Sequence, residues 1–207
     1  TARRELEDRD PGWGETERGT TIALPALGGD ASKAMVEGLL GGGTLHAETL
    51  ERIVSAAEGN PLYAEQLLTM LTDEGLLERR NGEWVPTGEI SELHVPPTVQ
   101  ALIAARLDTL SGTQRSVIEP ASVVGYLFVE SAVTALAPPD VTPQVPLELT
   151  TLVQKHLVQR IEDGDEGAHR FEHIMVRDTA YDGILKRARA DLHERFVRWA
   201  DGVNRDR

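Results

Sequence analysis

The three consecutive residues Gly59, Asn60 and Pro61 constrain the fold more than any other stretch, because they leave no room for a loop between two helices. Glycine readily adopts the left-handed conformation that closes a helix. Asparagine is a good N-cap, and proline suits the first helical position, where its missing N–H costs nothing. Apolar residues at helical spacing lie on both sides, over 46–58 and 61–74. The sequence therefore predicts a sharp corner between two helices.

Helical spacing of apolar residues recurs along most of the chain and predicts a mostly α-helical protein. Pro120 falls inside one of these stretches and should kink or shorten that helix. Besides the two helices at the corner, we expect helices at about 30–40, 97–110, 112–125, 130–137, 147–156, 174–186 and 188–202.

Two short hairpins are expected among the helices. The first covers 76–86, with Asn81-Gly82 as its two-residue turn, and the second covers 157–173 around the acidic turn DGDEG. The stretch TTIALPAL (20–27) is either an edge strand or an extended packing segment. Several helices followed by a hairpin and a further helix is the order of a winged-helix domain with helical extensions.

Composition and charge narrow the classes of function. Of the 207 residues 40% are hydrophobic, which is enough to bury a core. The net charge of −13 would repel nucleic acid unless basic residues cluster, and they do not cluster strongly. The absence of cysteine excludes disulfides and thiolate metal sites. The charged start and the lack of about 18 continuous apolar residues lead us to expect a cytoplasmic protein without a membrane contact.

Catalytic motifs are missing from the sequence. There is no phosphate-binding G-x-x-x-x-G-K-[ST] loop and no G-x-S-x-G nucleophile elbow. His169 and His173 have a spacing seen in metal sites, but they fall on or beside a strand and have no evident third ligand, so we expect no metal. The chain starts on TARRE, without methionine, and is expected to be a piece of a longer protein. By itself it is not expected to be an enzyme.

Three motifs in order carry a resemblance to a known family: AEGNPLYAEQLL, VPPTVQALIAARLDTL and HRFEHIMVRDTAYDGIL. Together they resemble the STAND class of signalling NTPases, within the AAA+ superfamily. The most similar members are bacterial ATPase modules of large transcriptional regulators and of multidomain adenylate or guanylate cyclases. The likeness runs from residue 1 to about residue 200.

The resemblance implies a division into domains. Residues 1–28 would be the end of a nucleotide-binding domain, which would leave a small strand remnant at the N-terminus. Residues 29–95 would be a helical lid domain with a short hairpin, and residues 96–186 a winged-helix domain. Residues 187–207 would be a C-terminal helix that leads to a downstream region. The Walker A and Walker B segments would lie upstream of this chain.

The same resemblance implies a nucleotide site. In the family a G-x-P corner presents its proline to the adenine ring, a role that falls on Pro61 with Asn60 as its cap. Arg3, in TARRE, would be the sensor arginine that approaches the terminal phosphate. The alternative for the corner is an ordinary helix–helix turn without a ligand.

A histidine after the winged-helix hairpin contacts the β-phosphate of ADP in related ATPases, and His173 matches it. The segment FEHIMVRDTA parallels the pattern M-H-D-L-V-R-D, but Glu172 stands in place of methionine and Ile174 in place of aspartate. A carboxylate near phosphate is unfavourable unless Glu172 points to the other face of its strand. The alternative is that His173 only caps the following helix.

The mechanism implied is a switch in which ADP holds the domains closed and exchange for ATP opens them. The cofactor would be ATP or ADP, with Mg²⁺ held by ligands outside this chain. Its partners would be the upstream nucleotide-binding domain in cis, a downstream sensor or repeat region, and further copies of the protein in the ATP state. The output would be transcriptional regulation or a cyclase.

Two other classes of function stay open, a DNA-binding winged-helix regulator and a protein-interaction module with no nucleotide role. The segment 147–157, the expected recognition helix, carries Lys155 as its single basic Lys or Arg residue beside Glu148. The wing tip DGDEG is acidic where it would meet phosphate. Both features argue against a direct DNA contact by this segment.

Overall fold

Helices dominate this computed structural model, which describes residues 22, 24–41, 43–88, 96–161 and 167–205. The prediction of a mostly α-helical protein is confirmed for this part of the chain. Within these ranges there are nine α-helices: α1 (Gly29–Leu39), α2 (Ala47–Ala57), α3 (Pro61–Asp73), α4 (Val99–Asp108), α5 (Gly112–Val124), α6 (Glu130–Leu136), α7 (Val145–Gln154), α8 (Ile174–Gly183) and α9 (Lys186–Arg205).

Two small sheets of three strands each complement the helices in the described part of the chain. In the first, with strand order β1-β3-β2, β1 runs parallel to β3 and β2 runs antiparallel to it. In the second, with order β4-β6-β5, both outer strands run antiparallel to β6. The strands are β1 (Thr44–Leu45), β2 (Leu77–Arg80), β3 (Glu83–Pro86), β4 (Leu127–Val129), β5 (Val158–Arg160) and β6 (Ala168–Phe171).

Helices α1 to α3 and the first sheet enclose one hydrophobic core. Each helix contributes one apolar face, as the spacing of its residues predicts. Trp84 of β3 donates its indole N–H to the carbonyl oxygen of Leu40 at 3.1 Å, which holds the sheet against the end of α1. The buried residues include Val36, Leu45, Leu50, Ile53, Ala57, Leu67, Leu68, Leu71 and Leu77.

Helices α4 to α8 and the second sheet enclose the other core. Phe128 of β4 and Phe171 of β6 meet there with ring centroids 5.4 Å apart. His169, also on β6, stacks on Phe128 and donates from Nδ1 to the carbonyl of Gly167 at 2.9 Å. The other buried residues include Ile103, Val117, Ile118, Val133, Val145, Leu149, Leu152, Leu157 and Val176.

Helix α4 belongs to both cores. Leu102 is fully buried in the first core, and its neighbour Ile103 is fully buried in the second. Thr98 caps this helix by accepting the N–H of Ala101 at 3.1 Å, so the helix begins at Val99 rather than at residue 97 as predicted. The two cores are therefore joined by one short helix.

The long helix α9 packs against α5 and α6 around a small third cluster of apolar residues. Arg195 donates to the carbonyl of Ala137 at 2.8 Å and fixes α9 against the end of α6. Among the described helices, including α9, none has both the length and the apolar character needed to cross a lipid bilayer.

The predicted elements agree with the structure in kind and differ in detail. Both hairpins are present, but the sequence analysis missed β1 and β4, the third strand of each sheet. Residues 24–28 form no strand, which favours extended packing for that part of the 20–27 stretch. Pro120 does not shorten its helix: α5 continues past it to Val124. The buried residues Ala121 and Val123 stabilise this last turn.

Candidate functional site

The corner between α2 and α3 is as sharp as the sequence predicts. Glu58 and Gly59 both adopt left-handed conformations, with φ of 49° and 74°, and turn the chain within two residues. Asn60 is extended, and its Oδ1 accepts the N–H of Tyr63 at 3.2 Å. Pro61 is the first residue of α3. The predicted glycine, cap and proline roles are all confirmed as local structure.

The segment 24–28 crosses directly over this corner. The N–H of Leu27 donates to the carbonyl of Gly59 at 2.9 Å. A Cβ added to Gly59 would lie 2.5 Å from the carbonyl oxygen of Leu27, closer than atoms can approach. Gly59 is therefore required both for the left-handed backbone and for the contact with the incoming chain.

The segment that leads into α4 also returns to the corner. Tyr63, one turn into α3, is 6% exposed, and its hydroxyl donates to the carbonyl of Pro96 at 2.7 Å. Burial, helped by the charge of Glu58, raises the pKa of Tyr63 above its usual value. The corner thus holds the chain that arrives before α1 and the chain that departs toward α4.

Pro61 and Asn60 are both exposed to solvent at this corner. The proline ring presents a rigid apolar surface at the start of a helix, without a flexible loop to order. Such a surface is suited to contact with another apolar group.

His173 caps helix α8 and is half-buried. Its Nδ1 accepts the N–H of Met175 at 3.2 Å, so this nitrogen carries no proton in that arrangement. In the neutral ring the proton then lies on Nε2, which leaves an N–H donor on the other side of the imidazole. The capping role that the sequence analysis kept as an alternative is the one seen in the geometry.

Glu172, next to this histidine, is engaged on the second sheet. Its carboxylate accepts from the side-chain amide of Gln159, whose oxygen in turn accepts from Arg170 at 2.7 Å. Gln159 and Arg170 are paired across β5 and β6. These contacts hold the Glu172 carboxylate against strands β5 and β6. Ile174, the other departure from the family pattern, is 41% exposed.

The predicted residues lie in two places. Asn60 and Pro61 share the corner, whereas His173 starts a helix of the second core, and among the described residues no hydrogen bond joins the two places. Arg3 lies outside the described residues. Within the described ranges no three His, Cys, Asp or Glu side chains are grouped as metal ligands.

A buried arginine between the two cores was missed by the sequence analysis. Arg106 of α4 is 4% exposed and contacts residues of α3 and the end of α7. A sequence signal existed: residue 106 lies on the apolar stripe of its helix, three or four positions from Leu102, Ile103 and Leu110. A charged residue on a buried stripe indicates a partner from elsewhere in the fold.

A small cleft of about 90 Å³ opens between α4, α5 and α8, where none of the predicted site residues lies. Its wall includes Leu107, Ile118 and Glu119. Burial raises the pKa of the Glu119 carboxyl, although nearby Arg115 opposes this effect. The cleft therefore does not bring together the residues of the predicted nucleotide site.

No family model and no solved structure matches the chain. An uncharacterized protein of Rhizobium meliloti (strain 1021) is 28% identical over 152 residues. The matched region is 72% of this chain but 14% of that relative. The chain is thus similar to a small part of a much longer protein whose name states no activity.

Proposed function

We propose that this chain is the regulatory part of an ATP- or ADP-dependent signalling switch of the STAND class. It would consist of a helical lid followed by a winged-helix domain, and it would control a transcriptional or cyclase output. The observation that carries the proposal is the corner: Pro61 is exposed at a helix start, and the incoming chain is hydrogen-bonded one residue away from its cap.

The order of elements in the second core supports a winged helix. Helix α5, strand β4, helices α6 and α7 and then strands β5 and β6 follow one another along the chain. The last strand lies between the other two in the sheet. Three helices beside such a sheet, with a hairpin after the third helix, is the arrangement expected for that domain.

The path of the incoming chain supports an upstream nucleotide-binding domain. Leu27 is hydrogen-bonded to Gly59, and Leu24 precedes it by three residues, which span roughly 10 Å when extended. Residues 24–28, the last of the proposed nucleotide-binding domain (1–28), would therefore keep that domain close to Pro61. It would supply the phosphate loop and the Mg²⁺ ligands that this sequence lacks.

The state of His173 is compatible with a phosphate contact. Because Nδ1 accepts the N–H of Met175, the Nε2–H would be available to donate to the β-phosphate of ADP. The hydrogen bond from Gln159 holds the Glu172 carboxylate on the second sheet but leaves its negative charge, so this carboxylate would weaken a phosphate contact at His173. Arg3 keeps its proposed role as the sensor arginine.

As a mechanism, ADP would bridge the upstream domain, the lid at Pro61 and the winged helix at His173, and would hold them closed. Exchange for ATP would release the winged helix and permit assembly with further copies or with a downstream region. A ligand can shift this equilibrium only by as much as its affinities for the two states differ. By itself the chain would bind no metal and catalyse no reaction.

The test is ADP binding by calorimetry, in a longer form of the protein that includes the upstream phosphate-binding motifs. Pro61→Ala is expected to weaken ADP about tenfold, or about 1.4 kcal/mol, because it removes the apolar surface under the adenine. The matched control is Pro146→Ala, since Pro146 is also an exposed proline in the first turn of a helix. That control should leave ADP affinity unchanged.

The proposal fails if the longer protein does not bind ADP, or if Pro61→Ala and Pro146→Ala behave alike. In either case the corner would be a tight turn only. The chain would then be better described as a protein-interaction module.

A further inference from the structure

We propose that Arg106 is a releasable polar joint between the two cores, a contact that fixes how they sit together and that water can replace when they part. As the release point of the switch, this inference rests on the proposed function. As a joint between two cores, it can be tested without any nucleotide.

Arg106 bonds to both sides of the boundary. One end of its guanidinium, Nη1, donates to the side-chain oxygen of Gln66 on α3, in the first core. The other end, Nη2, donates to the carbonyl of Lys155 at 2.5 Å, at the end of α7 in the second core. The same nitrogen lies 3.7 Å from the carboxylate of Asp73. A single side chain thus joins α3, α4 and α7.

The site suits a cation because three helices end around it. Asp73 is the last residue of α3, Lys155 caps the end of α7, and Arg106 itself is in the last turn of α4. The C-terminal end of a helix carries roughly half a negative charge, which favours a guanidinium there. Burial lowers the pKa of Arg106, while Asp73, Glu65 and Glu172 oppose that effect. An arginine stays charged under these conditions.

The same burial makes the joint easy to release. Arg106 is 4% exposed, and its Nε has no hydrogen-bond partner among the described residues. Taking a charge out of water offsets much of what its contacts gain, so buried ion pairs define geometry more than they add stability. On separation, water would bond every N–H of the guanidinium, including Nε. An apolar joint of equal size would gain nothing from water.

The apolar contacts across the boundary run through α4 as well, so the joint and the packing must be told apart. Leu102 and Ile103 are buried in different cores. If Arg106 is the joint, a disturbance in one core reaches the other through its side chain. If packing alone connects the cores, replacing Arg106 with an apolar residue leaves that communication intact.

The experiment is native-state hydrogen exchange of the slowest amides of α3 and α7, measured on the full 207-residue chain. The disturbances are a matched pair, Ile53→Val in the first core and Ile118→Val in the second, which remove the same methyl group from fully buried positions. In the wild type each should speed exchange roughly fivefold in the helix of its own core, and by a smaller factor in the helix of the other core. In Arg106→Met, Ile53→Val should act on α3 alone and Ile118→Val on α7 alone.

Two results would overturn the inference: wild-type cores that already respond separately, or an Arg106→Met protein in which each disturbance still reaches both helices. Should Arg106→Met not fold, Arg106→Lys serves in its place, since one ammonium cannot span the Gln66 and Lys155 oxygens as the fork does. It should show the same separation, and its absence would overturn the inference equally. Neither result touches the ADP test, so the two proposals fail independently.

Discussion

Helices α2 and α3 both end near a left-handed glycine, yet the surroundings of the two glycines differ. Gly59 has a φ of 74°, and a Cβ on it would lie 2.5 Å from the carbonyl oxygen of Leu27. Gly75 has a φ of 66°, but a Cβ there would meet no atom within 4 Å. Glycine is therefore required at Gly75 only for its left-handed backbone. At Gly59 it is required for the left-handed backbone and also for the close contact with segment 24–28.

The largest effect is expected from alanine at these two glycines. Gly75→Ala should lower the free energy of unfolding by about 1 kcal/mol, the strain of a left-handed alanine. Gly59→Ala should cost about 3 kcal/mol, because the clash with the Leu27 carbonyl adds to the same strain. Urea denaturation of both variants measures the difference. Equal losses of stability in the two variants would mean that segment 24–28 can move away from an added Cβ without cost. The corner would then be only the end of a helix.

A smaller effect is expected from substitutions at Asn60, which test its N-cap role alone and leave the contact between segment 24–28 and Gly59 in place. Asn60→Ala removes the acceptor for the Tyr63 N–H and should lower the free energy of unfolding by about 1 kcal/mol. Asn60→Asp keeps an acceptor in place and should leave the stability nearly unchanged. The same denaturation assay compares them. A large loss of stability in both variants would show that the side-chain NH₂ group of Asn60, which both lack, contributes the stability. The capping explanation of this residue would then be wrong.

The smallest effect concerns the departing chain. Tyr63→Phe loses the hydrogen bond to Pro96 and should lower the free energy of unfolding by about 0.5–1 kcal/mol at neutral pH. Because the folded-state pKa of Tyr63 is raised, its contribution is complete below about pH 10 and is lost as pH rises through the folded pKa.

The pH dependence gives this variant its own readout. The wild type should lose stability above about pH 10 more steeply than Tyr63→Phe, because only the wild type must keep the Tyr63 hydroxyl protonated. Denaturation series at neutral and alkaline pH compare the two slopes. Parallel slopes would mean that the hydroxyl ionises as easily in the folded protein as in the unfolded chain.

The corner and the first hairpin could be predicted because the residues that determine their conformation are consecutive in the sequence. Glycine, asparagine and proline each fix one backbone conformation at 59–61. Asn81 and Gly82 likewise both adopt positive φ, 53° and 90°, in the two-residue turn that they predict. Local rules suffice where the partners of a residue are its own neighbours along the chain.

The third strand of each sheet could not be predicted in the same way. Strand β1 has two residues and β4 has three, too few for a period-2 pattern to emerge. Each exists because a hairpin from a distant part of the chain offers an open edge for it to pair with. The contact between Tyr63 and Pro96, 33 residues apart, is of the same kind.

The candidate site also has features that neighbouring residues determine and features that depend on contacts between distant parts of the chain. The sequence by itself determined that a sharp, proline-started helix follows α2, and that a histidine precedes α8, because capping chemistry acts over three or four residues. Only the tertiary structure decided that Leu27 and Pro96 meet at the corner and that Arg106 joins two cores. Those facts depend on which distant groups are brought within hydrogen-bond distance, and the free energy of packing two whole cores sets that geometry.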